Sequence, residues 1–219
     1  MFIGHFALGF AAKRAAPRVS LGILFIAAQL ADIVWPVLVA AGIEQVRIDP
    51  GNTAFTPLDF VSYPYSHSLL LLALWGLALG YGYAAIRGMR ARIALLLAAL
   101  VVSHWVLDVV THRADMPIYP GSVKFGLGLW NSVTATVIVE CAMFAAGIAT
   151  YLQATRARDA IGRWAFAGLA ALLVVAYLGN VAGGPPPSVT ALWVVGIIGS
   201  LVILALSVWI DRHRDVKAV

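Results

Sequence analysis

The chain has 219 residues, of which 62% are hydrophobic and only 11% charged, against roughly 25% charged in an average soluble domain. That is too little charge to wet a globular surface, and with a mean hydropathy of +0.91 it excludes a disordered tail, a fibrous repeat and an ordinary soluble core. The net charge of +5 and pI near 9.7 do not point to nucleic acid, because the basic residues sit in short segments between apolar runs, where membrane topology explains them.

Residues 1 to 12 are apolar but too short to cross a bilayer, and charges follow them instead of preceding them. A half-inserted or interfacial helix is expected there, not a cleavable signal. A spanning helix needs about 20 mainly apolar residues, which places spans at 20–41, 67–87, 93–112, 132–155, 163–181 and 189–210. The fold expected is an all-α, polytopic transmembrane bundle of six spanning helices plus the short amino-terminal helix. Residues 1–155 would form the unit that carries chemistry, and 156–219 would add two further helices and a tail. The connections at 42–66 and 113–131 are rich in turn residues, and Gly183-Gly184-Pro185-Pro186-Pro187 makes a stiff turn. No internal repeat stands out. The single cysteine, Cys141, excludes an internal disulfide and is expected as a buried apolar thiol.

Basic residues set the orientation. Lys13, Arg14, Arg18, Arg87, Arg90, Arg92, Arg156, Arg158, Arg163, Arg212, Arg214 and Lys217 fall on one side of these spans, and only Arg47, Arg113 and Lys124 on the other. This bias predicts a multi-pass protein of the plasma (inner) membrane with both termini in the cytoplasm.

An ionisable side chain in hydrocarbon costs at least ~2.5 to 3.5 kcal/mol, so each one needs a partner or a purpose. Counting ~1.5 Å of rise per residue brings Asp32, His104 and Glu140, from three different spans, to one depth. His67 opens the second span. The sharpest pattern is His104-x3-Asp108-x3-His112. Steps of four share a helix face, yet the two histidines stand ~12 Å apart along the axis and cannot chelate one ion together. His104 with Asp108 can, and so can Asp108 with His112. Imidazole mixed with carboxylate favours zinc, manganese or iron over calcium, zinc or manganese first. Ser66 and Ser103, each just before a histidine, are candidates to orient the rings, the alternative being a bond to their own helix backbone. Glu140 has an alternative as a partner of Gln29 or Asn180. Trp35, Trp105, Trp130 and Trp193 read as interface or packing aromatics, and Asn131-Ser132 as a helix cap.

These elements together resemble a known family. Met1-Phe2-Ile3-Gly4-His5, Ala31-Asp32, Ser66-His67-Ser68 and Ser103-His104-Trp105-Val106-Leu107-Asp108 are similar, in order and placement, to motifs of membrane-bound metal-dependent hydrolases also described as LexA-binding and inner-membrane-associated. The resemblance covers about residues 1 to 120. The family commonly carries His-Arg-Gly ahead of its Thr-His-Ser, where this chain reads Ser62-Tyr63-Pro64-Tyr65-Ser66. By position, the resemblance implies His5, Asp32, His67, His104 and Asp108 as metal ligands, and the stripe itself adds His112.

The function expected is an integral membrane hydrolase that uses a divalent metal to cleave a lipid-linked or membrane-proximal ester or phosphoester, from a site opening to the outer half of the bilayer. Asp108 or Glu140 would be the base. Arg113 and Lys124 are the outside cations suited to an anionic headgroup, the alternative being plain loop charges. The partner expected is membrane lipid, not nucleic acid. The rival is a transporter or permease in which the same His, Asp and Glu layer binds an ion or relays protons. A noncatalytic scaffold is a third reading, one that leaves the polar layer without a purpose.

Overall fold

Most long apolar runs begin where a Ser or Asp side chain takes up a free backbone N–H. In the computed structural model, which describes residues 1–217, α1 (Ile3–Ala15), α2 (Leu21–Ala28) and α3 (Leu30–Ala40) are followed by a hairpin of β1 (Gln45–Ile48) and β2 (Leu58–Ser62). A single turn, α4 (Pro64–His67), then leads into the long helices α5 (Leu69–Arg87) and α6 (Ala91–Thr111). A second small hairpin, β3 (Met116–Pro117) with β4 (Lys124–Phe125), precedes α7 (Val133–Ala154). The chain continues through β5 (Thr155–Ala157), α8 (Ala160–Ala182), α9 (Val189–Asp211) and β6 (Arg214–Val216), which pairs antiparallel with β5. Ser20, Ser68, Ser132, Asp159 and Ser188 cap α2, α5, α7, α8 and α9 through their side chains.

Five helices, α5 to α9, are long and apolar enough to cross a membrane, and the bent pair α2 and α3 makes a sixth crossing if counted as one. The expected continuous span at 20–41 is broken. At Gln29 the backbone leaves the helical region (φ −113°, ψ 11°) and the two halves meet at 61°. Asp32 then falls in the first turn of α3, where free backbone N–H groups favour a carboxylate.

The amino-terminal helix also departs from expectation. It lies inside the bundle along α7, with Ile3, His5, Phe6 and Phe10 buried, where a short apolar segment at an interface would leave one face uncovered. Its sequence explains this: α1 is apolar on more than one face, and a helix apolar all round is stable only when surrounded. Its far end is tied down by Lys13, whose ammonium donates to both Asp211 carboxylate oxygens (2.8 and 3.0 Å) and to the Val19 carbonyl (2.9 Å). Phe10 meets Phe25, Phe144, Tyr151 and Phe166 edge-on at 4.8 to 6.0 Å, so a plug of aromatic rings fills the arginine-rich half of the bundle. Cys141, expected buried, is exposed on α7.

α5 and α6 pack at close range, which brings His67 at the head of α5 against the last turns of α6. Gly76 and Gly80 permit it: a Cβ at Gly80 would collide with the Ala94 carbonyl, and one at Gly76 would lie 2.9 Å from the Ala98 carbonyl oxygen. Gly82, by contrast, faces open space. Gly80→Ala is expected to destabilise the bundle by about 1–3 kcal/mol through overpacking, whereas Gly82→Ala should be neutral or gain up to ~1 kcal/mol from helix propensity. Thermal unfolding of the two variants in detergent checks this; equal midpoints would remove the close-packing argument.

Candidate metal centre

The break at Gln29 turns the Ala28 carbonyl out of the helical ladder. That oxygen accepts a hydrogen bond from His104 Nδ1 (2.9 Å). A carbonyl can only accept, so Nδ1 carries the proton and the neutral ring presents the lone pair of Nε2. Nε2 is fully buried, makes no hydrogen bond, and lies 3.2 Å from Asp108 Oδ2 and 3.7 Å from Asp32 Oδ1.

Two further rings follow the same plan. Ser66 Oγ donates its only proton to Glu44 Oε2 (2.6 Å), so its contact with His67 Nδ1 (2.7 Å) must be an acceptance. His67 Nε2 then faces Asp32 Oδ1 at 3.5 Å and Asp108 Oδ2 at 3.8 Å. His112 Nδ1 donates to Asp115 (3.0 Å), whose carboxylate also accepts from the Tyr63 hydroxyl (2.7 Å), and His112 Nε2 lies 4.0 Å from Asp108 Oδ2. Burial, reinforced by Asp115, pushes the Tyr63 phenol well above its ordinary pKa and keeps it a donor. Outer partners of this kind fix the tautomer and aim of metal-binding histidines.

Three lone pairs thus point at two carboxylates, acceptors against acceptors. Protonating all three rings would leave three positive charges on two negative ones. A divalent cation shared by the neutral rings of His67 and His104 would take up their lone pairs beside the carboxylates, and the mixture of imidazole nitrogen and carboxylate oxygen suits such an ion. The ligand atoms fall into two overlapping sets, His5, His104 and Asp108 in one and Asp32, His67 and His104 in the other, the atoms of each within 4.8 Å of one another. His112, expected as a ligand from the stripe, belongs to neither set; its Nε2 reaches only to 4.0 Å from Asp108 Oδ2. His5 completes the first set by stacking on His104 at 3.6 Å, with its Nε2 3.0 Å from Asp108 Oδ1; the Met1 nitrogen donates to the same oxygen (2.6 Å).

Glu140 stands apart from both sets. Its Oε2 accepts the Phe2 and Gly4 backbone N–H groups (2.8 and 3.1 Å), so it anchors the start of α1; it pairs with neither Gln29 nor Asn180. Arg113 is held by Asp59, Asn52 and Asp115, tying the first hairpin to the end of α6. Lys124 is exposed on β4. Neither cation lines the cavity over the site. That cavity, about 400 Å³, has Asp32, His67, Asp108 and His112 at its floor and Trp35, Phe55, Phe60 and Trp130 among its walls. Asp32 is the accessible member of the cluster, with 38% of its side chain exposed against 4% or less for the histidines and Asp108. Trp130 also packs on the His112 ring at 4.1 Å.

Glu44, Tyr63 and Asp115 were not legible as site residues, because each lies in a loop and acts through a histidine it does not neighbour in an obvious motif. No family model, no curated protein and no solved structure matches the chain. The resemblance to membrane-bound hydrolases therefore rests on the short motifs alone. What the fold shows is a helical protein with several long apolar helices and two buried His/Asp clusters able to chelate a divalent metal.

The two serines separate cleanly, since Ser103 Oγ donates to its own helix at Leu100 O (2.6 Å). Ser66→Ala should weaken zinc binding by ~10–100-fold, Ser66→Thr should restore it, and Ser103→Ala should leave it unchanged. Titration against a competing chelator measures all three; wild-type affinity in Ser66→Ala would show that the hydroxyl does not orient His67.

Proposed function

We propose that this protein is an integral membrane, metal-dependent hydrolase acting on an ester or phosphoester of a lipid-linked or membrane-proximal substrate. The observation that carries the reading is the unbonded, buried His104 Nε2 set among two carboxylates and two further imidazoles whose Nδ1 atoms are already engaged. Such a constellation at membrane depth has no structural use that an apolar residue would not serve better.

Asp32, His67 and His104 would hold the ion, zinc or manganese by ligand type. Bound there, it supplies Lewis acidity, polarising the oxygen of the scissile group and acidifying water. The remaining work falls to the chain. Asp108, whose Oδ2 lies 3.2 Å from His104 Nε2 and 3.8 Å from His67 Nε2, would accept the proton of an attacking water and return it to the leaving group. Asp32 faces the cavity and so sets where the substrate's polar group lies. Phe60 and Trp130, packed on His112 at 4.9 and 4.1 Å, exclude bulk water from that side.

The basic residues support an orientation with the arginine-rich end in the cytoplasm, which turns the two hairpins and the site toward the outer half of the bilayer of a plasma (inner) membrane.

Purified wild type should contain stoichiometric metal that is lost in both His104→Ala and Asp32→Ala but kept in Glu140→Gln. A panel of phosphatase, esterase and lipase substrates in detergent should reveal turnover that a chelator abolishes and added zinc or manganese restores. Absence of bound metal in the wild type would overturn the reading; bound metal with solute flux in sealed vesicles, and no turnover, would replace it with a transporter.

A further inference from the structure

The cavity over the cluster does not end at its aromatic walls. It continues between α3 and the last two helices, where Ile33, Pro36, Leu192, Gly199, Ile203 and Leu204 line it. This arm is almost wholly apolar, and α9 carries no ionisable residue before Asp211. Gly199 matters to its shape: a Cβ there would meet no heavy atom within 4 Å, so the missing side chain is cavity space. The lining reaches the surface at Val195, which is 70% exposed, and at the exposed Asn180, so the arm opens sideways from the bundle near the hairpin end.

We infer that α8 and α9 form a subsite for one hydrocarbon chain of an amphiphilic substrate whose ester or phosphoester group sits at Asp32 and His67. The inference rests on the hydrolase reading for the role of the polar floor, and it adds the chemical class of what is bound. A single cavity with an acidic and imidazole floor and an apolar arm matches a molecule polar at one end and apolar at the other. Water in the arm would find few polar partners, and a sugar or peptide there would leave its hydroxyl or amide groups unpaired. Volume limits the occupant. At ~30 Å³ for each water-sized group, the cavity of about 400 Å³ takes a head group and part of one chain, the rest of which runs out past Val195 among the bilayer lipids.

The probe is n-hexadecylphosphonate carrying a diazirine at mid-chain, photolysed with the full chain in phosphatidylcholine nanodiscs. Adducts are mapped by peptide mass spectrometry. They should fall on the lining residues of α8 and α9, be displaced by unlabelled hexadecylphosphonate but not by methylphosphonate, and drop at least roughly tenfold in Gly199→Phe, which excludes several methylenes. Metal content equal to wild type shows that this variant folds, and the competition in wild type decides the question if it does not. Adducts confined to outward-facing residues such as Ile138 and Leu201, insensitive to competitor, would overturn the subsite even if a water-soluble phosphoester is still hydrolysed. Displaceable adducts on α9 without turnover of any ester would leave the subsite standing and remove the hydrolase.

Discussion

One backbone carbonyl holds the centre together. Because the helix formed by α2 and α3 breaks at Gln29, the Ala28 oxygen is free to accept from His104 Nδ1, and that bond fixes which nitrogen of His104 faces the carboxylates. The same break swings α3 away from the line of α2 and lets Ile33, Trp35 and Pro36 line the cavity. Irregular backbone at membrane depth is tolerated only where protein covers it or where it borders a cavity, since a free N–H or C=O in hydrocarbon costs several kcal/mol. Here the break meets both conditions, so the irregularity and the site are one feature.

The three rings are held by three different acceptors: a carbonyl, a serine hydroxyl backed by Glu44, and the Asp115 carboxylate. Different chemistry serves one end, a protonated Nδ1 and a free Nε2. The charges grade from inside outward. Asp108 takes the Met1 ammonium while Asp32 has only imidazole nitrogens near it; one layer out, Glu44 is bonded by neutral donors from Tyr65 and Ser66, and Asp115 by Tyr63, His112 and Arg113. Glu140 takes the backbone N–H groups at the head of α1 through Oε2 alone and stays outside both ligand sets, while its Oε1 is buried with no hydrogen-bond partner among the described residues.

Hydropathy made the long helices legible, and the rule that a buried ionisable group needs a reason made Asp32, His67, His104 and Asp108 legible. Rise per residue put Asp32 and His104 at one depth, and their ligand atoms lie 3.7 Å apart, but it put Glu140 there too, so depth alone did not separate the members of the cluster from their neighbour. Other features had no local signature. Gln29 is one polar residue in an apolar run, and nothing there, neither Gly nor Pro, announces a bend; tertiary bonding to His104 decides it. The burial of α1 depends on what surrounds it, and a short apolar segment reads the same whether it lies at an interface or inside a bundle. Arg113 reads as a free loop cation until Asp59 and Asp115 are seen to hold it. Tyr63 supports Asp115, a role visible only once the loop has folded back on α6.

The architecture also bears on whether the polar layer serves passage or chemistry. A transporter needs a polar route on both sides of its site, open in turn. Beneath this cluster lie Phe10, Phe25, Phe144, Tyr151 and Phe166, mutually packed with Phe10 wholly enclosed, and α1 itself fills the space between α7 and α2. Opening a path there would mean displacing a helix anchored at one end by Glu140 and at the other by the Lys13 to Asp211 ion pair, and the removal of one partner from a pair this buried costs ~3–5 kcal/mol. Access from the hairpin end and from the side needs no such movement. A cavity open on that side alone would be enough for a reaction whose substrate and products share the same phase, because the products can leave by the way the substrate came. The packed aromatic layer and the helix anchored at both ends thus weigh on the side of the hydrolase reading proposed above, since handing an ion across would require both to give way.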